Sequence, residues 1–163
     1  MRQKVSIAGL TIDPASNTPI ILLKTDEGEE TVPIWIGLLE ATAIAAALQN
    51  INFERPMTHD LFKNFANSFN IDLLEVNIHK LEEGVFYSKL LCDNGEKKLS
   101  IDTRTSDAIA LALRFKCPIF TTEEIMERAG IVLEFGSEEK SSSFSESSSA
   151  SDSVTPSSVS STE

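Results

Sequence analysis

Hydrophobic residues recur along the first 136 positions with two different periods. Segments that alternate apolar and polar residues, or run apolar between turn residues, are typical of β-strands, whereas repeats of three and four residues indicate helices. The predicted strands are 4–13, 19–25, 31–36, 71–81, 85–92 and 97–102. The predicted helices are 38–49, 59–69, 106–115 and 122–129.

Short turns join several of the predicted strands into hairpins. Asp93-Asn94-Gly95-Glu96 separates two strand-like runs, and Asn-Gly at such a place is a strong hairpin signal because both residues tolerate positive φ. Asp26-Glu27-Gly28 separates another pair. Strands joined by hairpins and interrupted by helices predict an α+β fold, with a mixed or mainly antiparallel sheet packed against about four helices.

The composition changes near residue 136. Residues 137–163 consist mainly of Ser, Glu and Thr and offer almost nothing to bury, which predicts a disordered, acidic, Ser/Glu-rich tail. Residues 1–136 contain enough apolar residues for one domain with its own core. We therefore expect one folded α+β domain followed by the tail.

The charge of the chain restricts its partners. The formal net charge is −11 and the sequence pI is about 4.6, which argues against a broad basic surface that coats nucleic acid. A compact active site is still compatible with this charge, because a bound metal ion can supply local positive charge.

Cysteine usage and hydropathy indicate the compartment. Cys92 and Cys117 lack CxxC spacing and are too few for a disulfide framework, so we interpret them as reduced, buried residues. No apolar run is long enough to span a bilayer, and the N-terminus has no apolar signal core. A cytoplasmic protein without a membrane partner is expected.

The first predicted helix carries a carboxylate among apolar residues. Glu40 falls on the same helical face as Ile44 and Ala47, where a charge costs several kcal/mol unless it is paired. Glu40 is either a first-turn residue favoured by the helix dipole or a functional carboxylate. The many alanines of this helix suit tight packing or a subunit interface.

A second polar cluster, Arg55 to Asp60, opens the second helix. Thr58 is a plausible N-cap, and Asp60 suits the positive end of the helix. His59 borders the face that we expect to be buried, and it is a better functional candidate than His79. The expected buried face consists of Leu61, Phe62, Phe65 and Phe69.

The third cluster, Asp102 to Asp107, lies between a strand and a helix that is apolar over residues 108–113. Ser106 or Thr105 can cap that helix and Asp107 complements its dipole, so the helix start explains Ser106 and Asp107. The start of the helix does not explain Asp102 or Arg104, which makes these two residues candidates for a site. No phosphate-loop, zinc-protease or nucleophile-elbow motif accompanies them.

Several motifs together resemble the bifunctional nuclease family, formerly a domain of unknown function. The motifs are Pro33-Ile34-Trp35-Ile36-Gly37 with Glu40-Ala41, then Arg55-Pro56-Met57-Thr58-His59-Asp60, then Phe86-Tyr87, and then residues 101–112. They span roughly residues 4–130 in order, as in a small single-domain member from a thermophilic bacterium. Thr103 and Thr105 stand where Ala and Pro are common in the family motif. The resemblance implies an α+β domain and cleavage of both RNA and DNA.

A metal-assisted nuclease is the first of two hypotheses. Glu40, Asp102 and Asp107 would hold Mg²⁺ or Mn²⁺, which prefer hard oxygen ligands. His59 would act as general base or acid, and Arg104 would stabilise charge on the phosphoryl oxygens. The predicted residues that contact the nucleic acid substrate are Arg55, Thr58 and Ser106.

The second hypothesis is a binding or regulatory module without turnover. The same polar residues would form a buried network or a pocket for a small anionic ligand or partner, and the acidic composition favours this alternative. Under either hypothesis, the Ala-rich first helix and the apolar third helix predict a homo-oligomer.

Overall fold

The computed structural model describes residues 1–26, 28 and 30–132. The predicted tail, 137–163, lies outside the described residues, as do the last four residues of the predicted domain. The strands are β1 (Arg2–Ile12), β2 (Pro19–Thr25), β3 (Glu30–Trp35), β4 (Asp72–Glu82), β5 (Val85–Asp93), β6 (Lys98–Arg104), β7 (Ile119–Thr122) and β8 (Ile131–Val132). The helices are α1 (Leu38–Leu48), α2 (Thr58–Ser68), α3 (Thr105–Phe115) and α4 (Glu123–Ala129).

All these strands join one sheet, in the order β6-β5-β4-β7-β1-β2-β3-β8. Its neighbouring strands are antiparallel except β4 and β7, which run parallel. The predicted α+β class with a mainly antiparallel sheet is therefore confirmed. The boundaries of the predicted helices agree with the structure to within one residue.

Two strands and one turn were not predicted. β7 has four residues and β8 has two, which is too short for an alternating pattern to stand out. The β4–β5 hairpin turns at Glu83 and Gly84, which both have positive φ, as a type I′ turn requires. In the Asn94-Gly95 turn, by contrast, only Gly95 has positive φ.

Helix α3 lies at the centre of the core. Its residues 108–112 are all buried, because the helix packs against the sheet and against both α1 and α2. Apolar side chains from the sheet complete the contact, among them Val76, Ile78 and Leu90. An apolar surface on all sides of a helix is stable only when it is covered in this way.

A buried hydroxyl pair holds the start of α3 against the sheet. Ser88 on β5 is 0% exposed, and its Oγ lies 2.6 Å from Thr105 Oγ1. The Thr105 hydroxyl also lies 3.0 Å from the Phe86 carbonyl oxygen, to which it can donate. The expected cap at Ser106 or Thr105 is wrong: Arg104 occupies the N-cap position without a side-chain cap bond, because the Thr105 hydroxyl is directed to the sheet.

The expected buried face of α2 is also wrong. Among its described residues only Ala66 is buried, whereas Leu61, Phe62, Phe65 and Phe69 are 40–62% exposed. The reason is position: α2 contacts α3 through the side that carries His59, Asp60 and Lys63, which leaves the apolar stripe exposed. This stripe is an unpartnered apolar surface within the described chain.

Both cysteines are free thiols; Cys92 is buried as expected, whereas Cys117 is only partly buried. Burial raises the pKa of Cys92 and raises that of Cys117 to about 11. Within the part of the chain that the structure describes, no helix has the length and apolar character needed to cross a bilayer.

Thr105→Val should destabilise the protein by about 1–3 kcal/mol, because the buried Ser88 hydroxyl and the Phe86 carbonyl lose their partner. Urea unfolding followed by circular dichroism measures this change. Thr103→Val is the matched control, since the Thr103 hydroxyl makes only a 3.4 Å contact with the Arg104 carbonyl. Adding Ser88→Ala to Thr105→Val should recover part of the loss. Equal urea midpoints for Thr105→Val and Thr103→Val would contradict the stabilising role of the Ser88–Thr105 hydroxyl pair.

Candidate functional site

Three helices begin near one another and bring their first-turn side chains together. Glu40 and Asp107 are the third residues of α1 and α3, His59 is the second residue of α2, and Arg104 directly precedes α3. Carboxylates are favoured in a first turn because the helix dipole is positive there. These four residues are called the charged cluster below.

The charged cluster is a continuous chain of hydrogen bonds. Arg104 donates from Nη1 to Glu40 Oε1 at 2.8 Å and from Nε to Asp107 Oδ2 at 2.7 Å. The other oxygen of the same carboxylate, Asp107 Oδ1, lies 3.0 Å from Nε2 of His59. One guanidinium and one imidazole are therefore oriented by two carboxylates from other elements.

Exposure differs sharply along the charged cluster. The Arg104 side chain is 67% exposed, whereas those of Asp107, Glu40 and His59 are 26%, 21% and 15% exposed. Burial alone would raise the pKa of Asp107, but hydrogen bonds from Arg104 and His59 outweigh it and hold this pKa below its ordinary value. Asp107 is therefore ionised at neutral pH. The same contact raises the pKa of Arg104.

The ionised state of Asp107 decides the tautomer of His59. A carboxylate only accepts, so Nε2 of His59 must carry the proton that is shared with Asp107. In the neutral ring the lone pair is then on Nδ1, which has no hydrogen-bond partner among the described residues. His59 thus presents a free base nitrogen that is held in a fixed orientation.

Gly37 provides space for the Glu40 carboxylate. A Cβ atom at position 37 would lie within 2.2 Å of Glu40 Oε2, so any larger residue there must displace that carboxylate. The glycine of the Trp35-Ile36-Gly37 motif therefore supports the contact between Glu40 and Arg104.

A second ion pair lies next to the charged cluster. Arg114 of α3 donates from Nε to Asp60 Oδ1 at 2.6 Å and from Nη1 to the carbonyls of Ala43 and Ala110. Burial alone would raise the pKa of Asp60. The hydrogen bonds from Arg114 and from the Met57 N–H outweigh burial, so the pKa of Asp60 is lowered. The sequence carried one signal for this pair: a lone arginine on an apolar helix needs a partner.

The structure separates Asp102 from the other candidates. Asp102 lies opposite Lys89 in the β5–β6 register, and directly opposed residues of antiparallel strands share a face. The neighbouring Ser88–Thr103 pair faces the helices, so Asp102 faces the open side of the sheet and is exposed. The expectation that Asp102 joins Glu40, His59 and Arg104 therefore does not hold.

The predicted substrate contacts lie around the charged cluster without joining it. Arg55 and Thr58 are exposed and Ser106 is half-buried, and their side chains make no hydrogen bond within the described residues. Thr58 is the first residue of α2, and the N-cap is Met57, whose N–H is 3.1 Å from Asp60 Oδ2. The predicted N-cap role of Thr58 is wrong.

The predicted ligand set for Mg²⁺ or Mn²⁺ does not assemble in this arrangement. Arg104 bonds the carboxylates of Glu40 and Asp107, and Asp102 lies on the other face of the sheet. Among the described residues, no three acidic, His or Cys side chains are grouped as metal ligands. Metal dependence stays a prediction.

The fold and the charged cluster define an α+β domain with groups suited to acid–base chemistry on an anionic substrate. Residues 21–134 match the sequence model of the bifunctional nuclease domain. The chain therefore belongs to the bifunctional nuclease domain family, which confirms the resemblance seen in its motifs.

The chain covers most of a bacterial relative but less than half of its plant relatives. An uncharacterized protein of Mycobacterium tuberculosis is 36% identical over 137 residues, which is 84% of this chain and 82% of that protein. Bifunctional nuclease 1 of Oryza sativa subsp. indica is 29% identical over 73% of this chain. Bifunctional nuclease 1 of Arabidopsis thaliana is 27% identical over 72% of it. The chain spans only 37% and 38% of these two plant proteins.

Asp107→Asn should lower stability at neutral pH and weaken the acid dependence of stability. The folded-state pKa of Asp107 is below its ordinary value, so its contribution is present at neutral pH and is lost as the pH falls through that lowered value. Urea unfolding between pH 7 and pH 3 measures this, and we expect a loss of about 1–3 kcal/mol at neutral pH. Asp102→Asn, on the open face, is the control. If the free energy of unfolding changed with pH in the same way for wild type and Asp107→Asn, the lowered pKa assigned to Asp107 would be refuted.

Proposed function

We propose that the protein is a nuclease that hydrolyses phosphodiester bonds of RNA, DNA or both. The observation that carries the proposal is the charged cluster, in which an oriented imidazole and an exposed guanidinium share one carboxylate, Asp107. Membership of the bifunctional nuclease family supports the same reaction.

His59 is the proposed general base. Its Nδ1 lone pair would accept a proton from the attacking water, or from the ribose 2′-hydroxyl of RNA, and Asp107 would stabilise the resulting imidazolium. In the second half of the reaction the protonated ring can return the proton to the leaving oxygen.

Arg104 is the proposed phosphate-binding residue. Two of its five N–H groups bond Glu40 and Asp107, so the remaining donors of its exposed guanidinium are free to bind phosphoryl oxygens. Glu40 positions Arg104 and does not itself touch the substrate. The converging helix starts add positive dipole ends near the phosphate.

The net charge of −11 limits how nucleic acid is held. Repulsion opposes a long duplex laid across the surface, because affinity for phosphates comes from released counterions around basic groups. A compact site that contacts few phosphates is compatible with this charge. The affinity for nucleic acid should therefore be low, and it should change little with salt concentration.

Cleavage of single-stranded RNA or DNA should fall about 10²–10⁴-fold in His59→Asn, because the base nitrogen is lost. Arg104→Ala should also reduce cleavage strongly, whereas Arg104→Lys keeps the charge and part of the rate. A labelled-oligonucleotide assay, run with EDTA and with added Mg²⁺ or Mn²⁺, measures both the rate and any metal dependence.

His79→Asn and Asp102→Ala are the controls for this assay, because both residues lie away from the charged cluster. Loss of cleavage in Asp102→Ala at unchanged stability would contradict the proposed site. Cleavage that persists in His59→Asn and Arg104→Ala would show that the activity belongs to a contaminant or to another site.

Binding without turnover is the second candidate function. The observation in its favour is the net charge of −11, which opposes a long nucleic acid substrate but permits one small anion at Arg104. In that case a small anionic ligand would bind at Arg104 and the purified protein would cleave no phosphodiester.

We further propose that the protein is a homo-oligomer that associates through α2. The alanines that suggested an interface on α1 are partly used inside the protein, since Ala41 and Ala46 are buried. The exposed stripe on α2 offers roughly 400 Å² of apolar surface, the size at which exposed patches mark interaction sites. In a dimer with two-fold symmetry, the stripe of one copy packs against the identical stripe of the second copy.

Leu61→Ser with Phe65→Ser should convert the oligomer to monomer, because both side chains are more than half exposed and contribute little to the core. Analytical ultracentrifugation at several protein concentrations measures the mass. Ile12→Ser, at the end of β1, is the control because Ile12 is 58% exposed and distant from α2 in the chain. A monomeric wild type would refute this proposal.

A further inference from the structure

A polar cleft of about 430 Å³ lies beside the charged cluster. It is bounded by the end of α1, the segment that leads to α2, one side of α2 and the end of α3. Its volume lies within the range of about 300–1,000 Å³ that is usual for small-molecule sites. Neither the general base nor the phosphate-binding arginine of the proposed reaction lines it.

The cleft carries more positive than negative groups in an otherwise acidic chain. Lys63, Arg114 and Lys116 line it together with only two acids, Glu54 and Asp60. Asp60 is already paired with Arg114. An anionic group would therefore meet a local excess of cations here, in contrast to the net charge of −11 over the whole chain.

The cationic wall is organised by contacts within the protein. The Arg114 side chain is only 8% exposed and is fixed by Asp60 and two main-chain carbonyls. Lys63 donates from Nζ to the Arg114 carbonyl at 2.7 Å. Lys116 adopts a left-handed conformation, with φ of 57°, and its side chain is exposed at the rim.

An aromatic ring and amide side chains also line the cleft. Phe53 lines the cleft and is 46% exposed, so one part of its ring is free to stack. Asn52 and Asn64 line the same cleft and present both donors and acceptors. A ring, amides and a cationic edge within one cleft match the base, base edge and phosphate of a nucleotide.

We propose that this cleft binds the nucleotide next to the scissile phosphate and selects single-stranded nucleic acid. The inference rests on the proposed nuclease function and adds its substrate class. The base stacks on Phe53, and the phosphate binds between Lys63 and Lys116. Only an unpaired base exposes a face to an aromatic side chain in this way, so a duplex does not enter the cleft.

The position of the cleft supports this assignment. His59 and Asp60 are consecutive residues of α2, and consecutive helical residues point about 100° apart. His59 contacts Asp107 in the charged cluster, whereas Asp60 lines the cleft. A strand that crosses the first turn of α2 therefore reaches both places.

Fluorescence anisotropy with a labelled, phosphorothioate-linked oligothymidylate tests the cleft without requiring turnover. Phe53→Ala should weaken binding about tenfold, consistent with about 1–3 kcal/mol per stacked base. Phe53→Leu, which keeps apolar bulk without a ring, should show most of the same loss. Lys116→Asn removes the charge with a residue that tolerates the left-handed conformation, and it should lower the salt slope by about 0.7.

Lys97→Asn is the matched control for Lys116, because Lys97 is an exposed lysine of the β5–β6 hairpin. Wild-type affinity and salt slope in the cleft variants would overturn the proposal, as would equally tight binding of a duplex. The nuclease proposal fails separately: reduced binding in Phe53→Ala together with no cleavage by wild type would retain the cleft and reject the activity.

Discussion

Burial of α3 is the constraint on which the rest of the structure depends. Five consecutive buried residues, 108–112, require cover on every side, which the sheet, α1 and α2 provide together. Charge is therefore confined to the ends of the helix, at Asp107 and Arg114. Each of these two pairs with one of two consecutive residues of α2, His59 and Asp60. One helix thus places both the charged cluster and the neighbouring cleft.

The two ion pairs of Arg104 contribute more to orientation than to stability. Arg104 is largely exposed, and exposed ion pairs contribute about 0–1 kcal/mol. What they fix is geometry: the guanidinium is held by two acceptors, and the imidazole is fixed in one tautomer. A site assembled from three helix starts on a common core is preorganised, so the proposed binding of a phosphate would need little reorganisation.

Local features of the sequence were sufficient to predict the helices and most strands. Period, first-turn acids and turn residues are all encoded within a few positions, and the predicted helices therefore match within one residue. Glu40, His59, Arg104 and Asp107 were also identified, because each is a polar residue beside a buried segment. Their convergence was expected under the nuclease hypothesis, but local pattern could not establish it, since it depends on how three helices pack.

The errors came from properties that neighbouring residues do not encode. Asp102 was included in the site although it lies on the sheet face away from the helices. The exposure of the α2 stripe depends on which side of α2 contacts α3. The Asp60–Arg114 pair joins residues 54 positions apart. Periodicity shows that a helix has an apolar face, but it does not show which element, if any, covers that face.

The short strand β7 determines when the sheet can be completed during synthesis. The sheet consists of two antiparallel meanders, β1–β2–β3 and β4–β5–β6, and β7 is the strand that joins them by pairing with both β1 and β4. During synthesis each meander can form from local contacts as it leaves the ribosome. The two meanders cannot join into one sheet until β7 has emerged, so until then the edges of β1 and β4, with which β7 later pairs, stay unpaired.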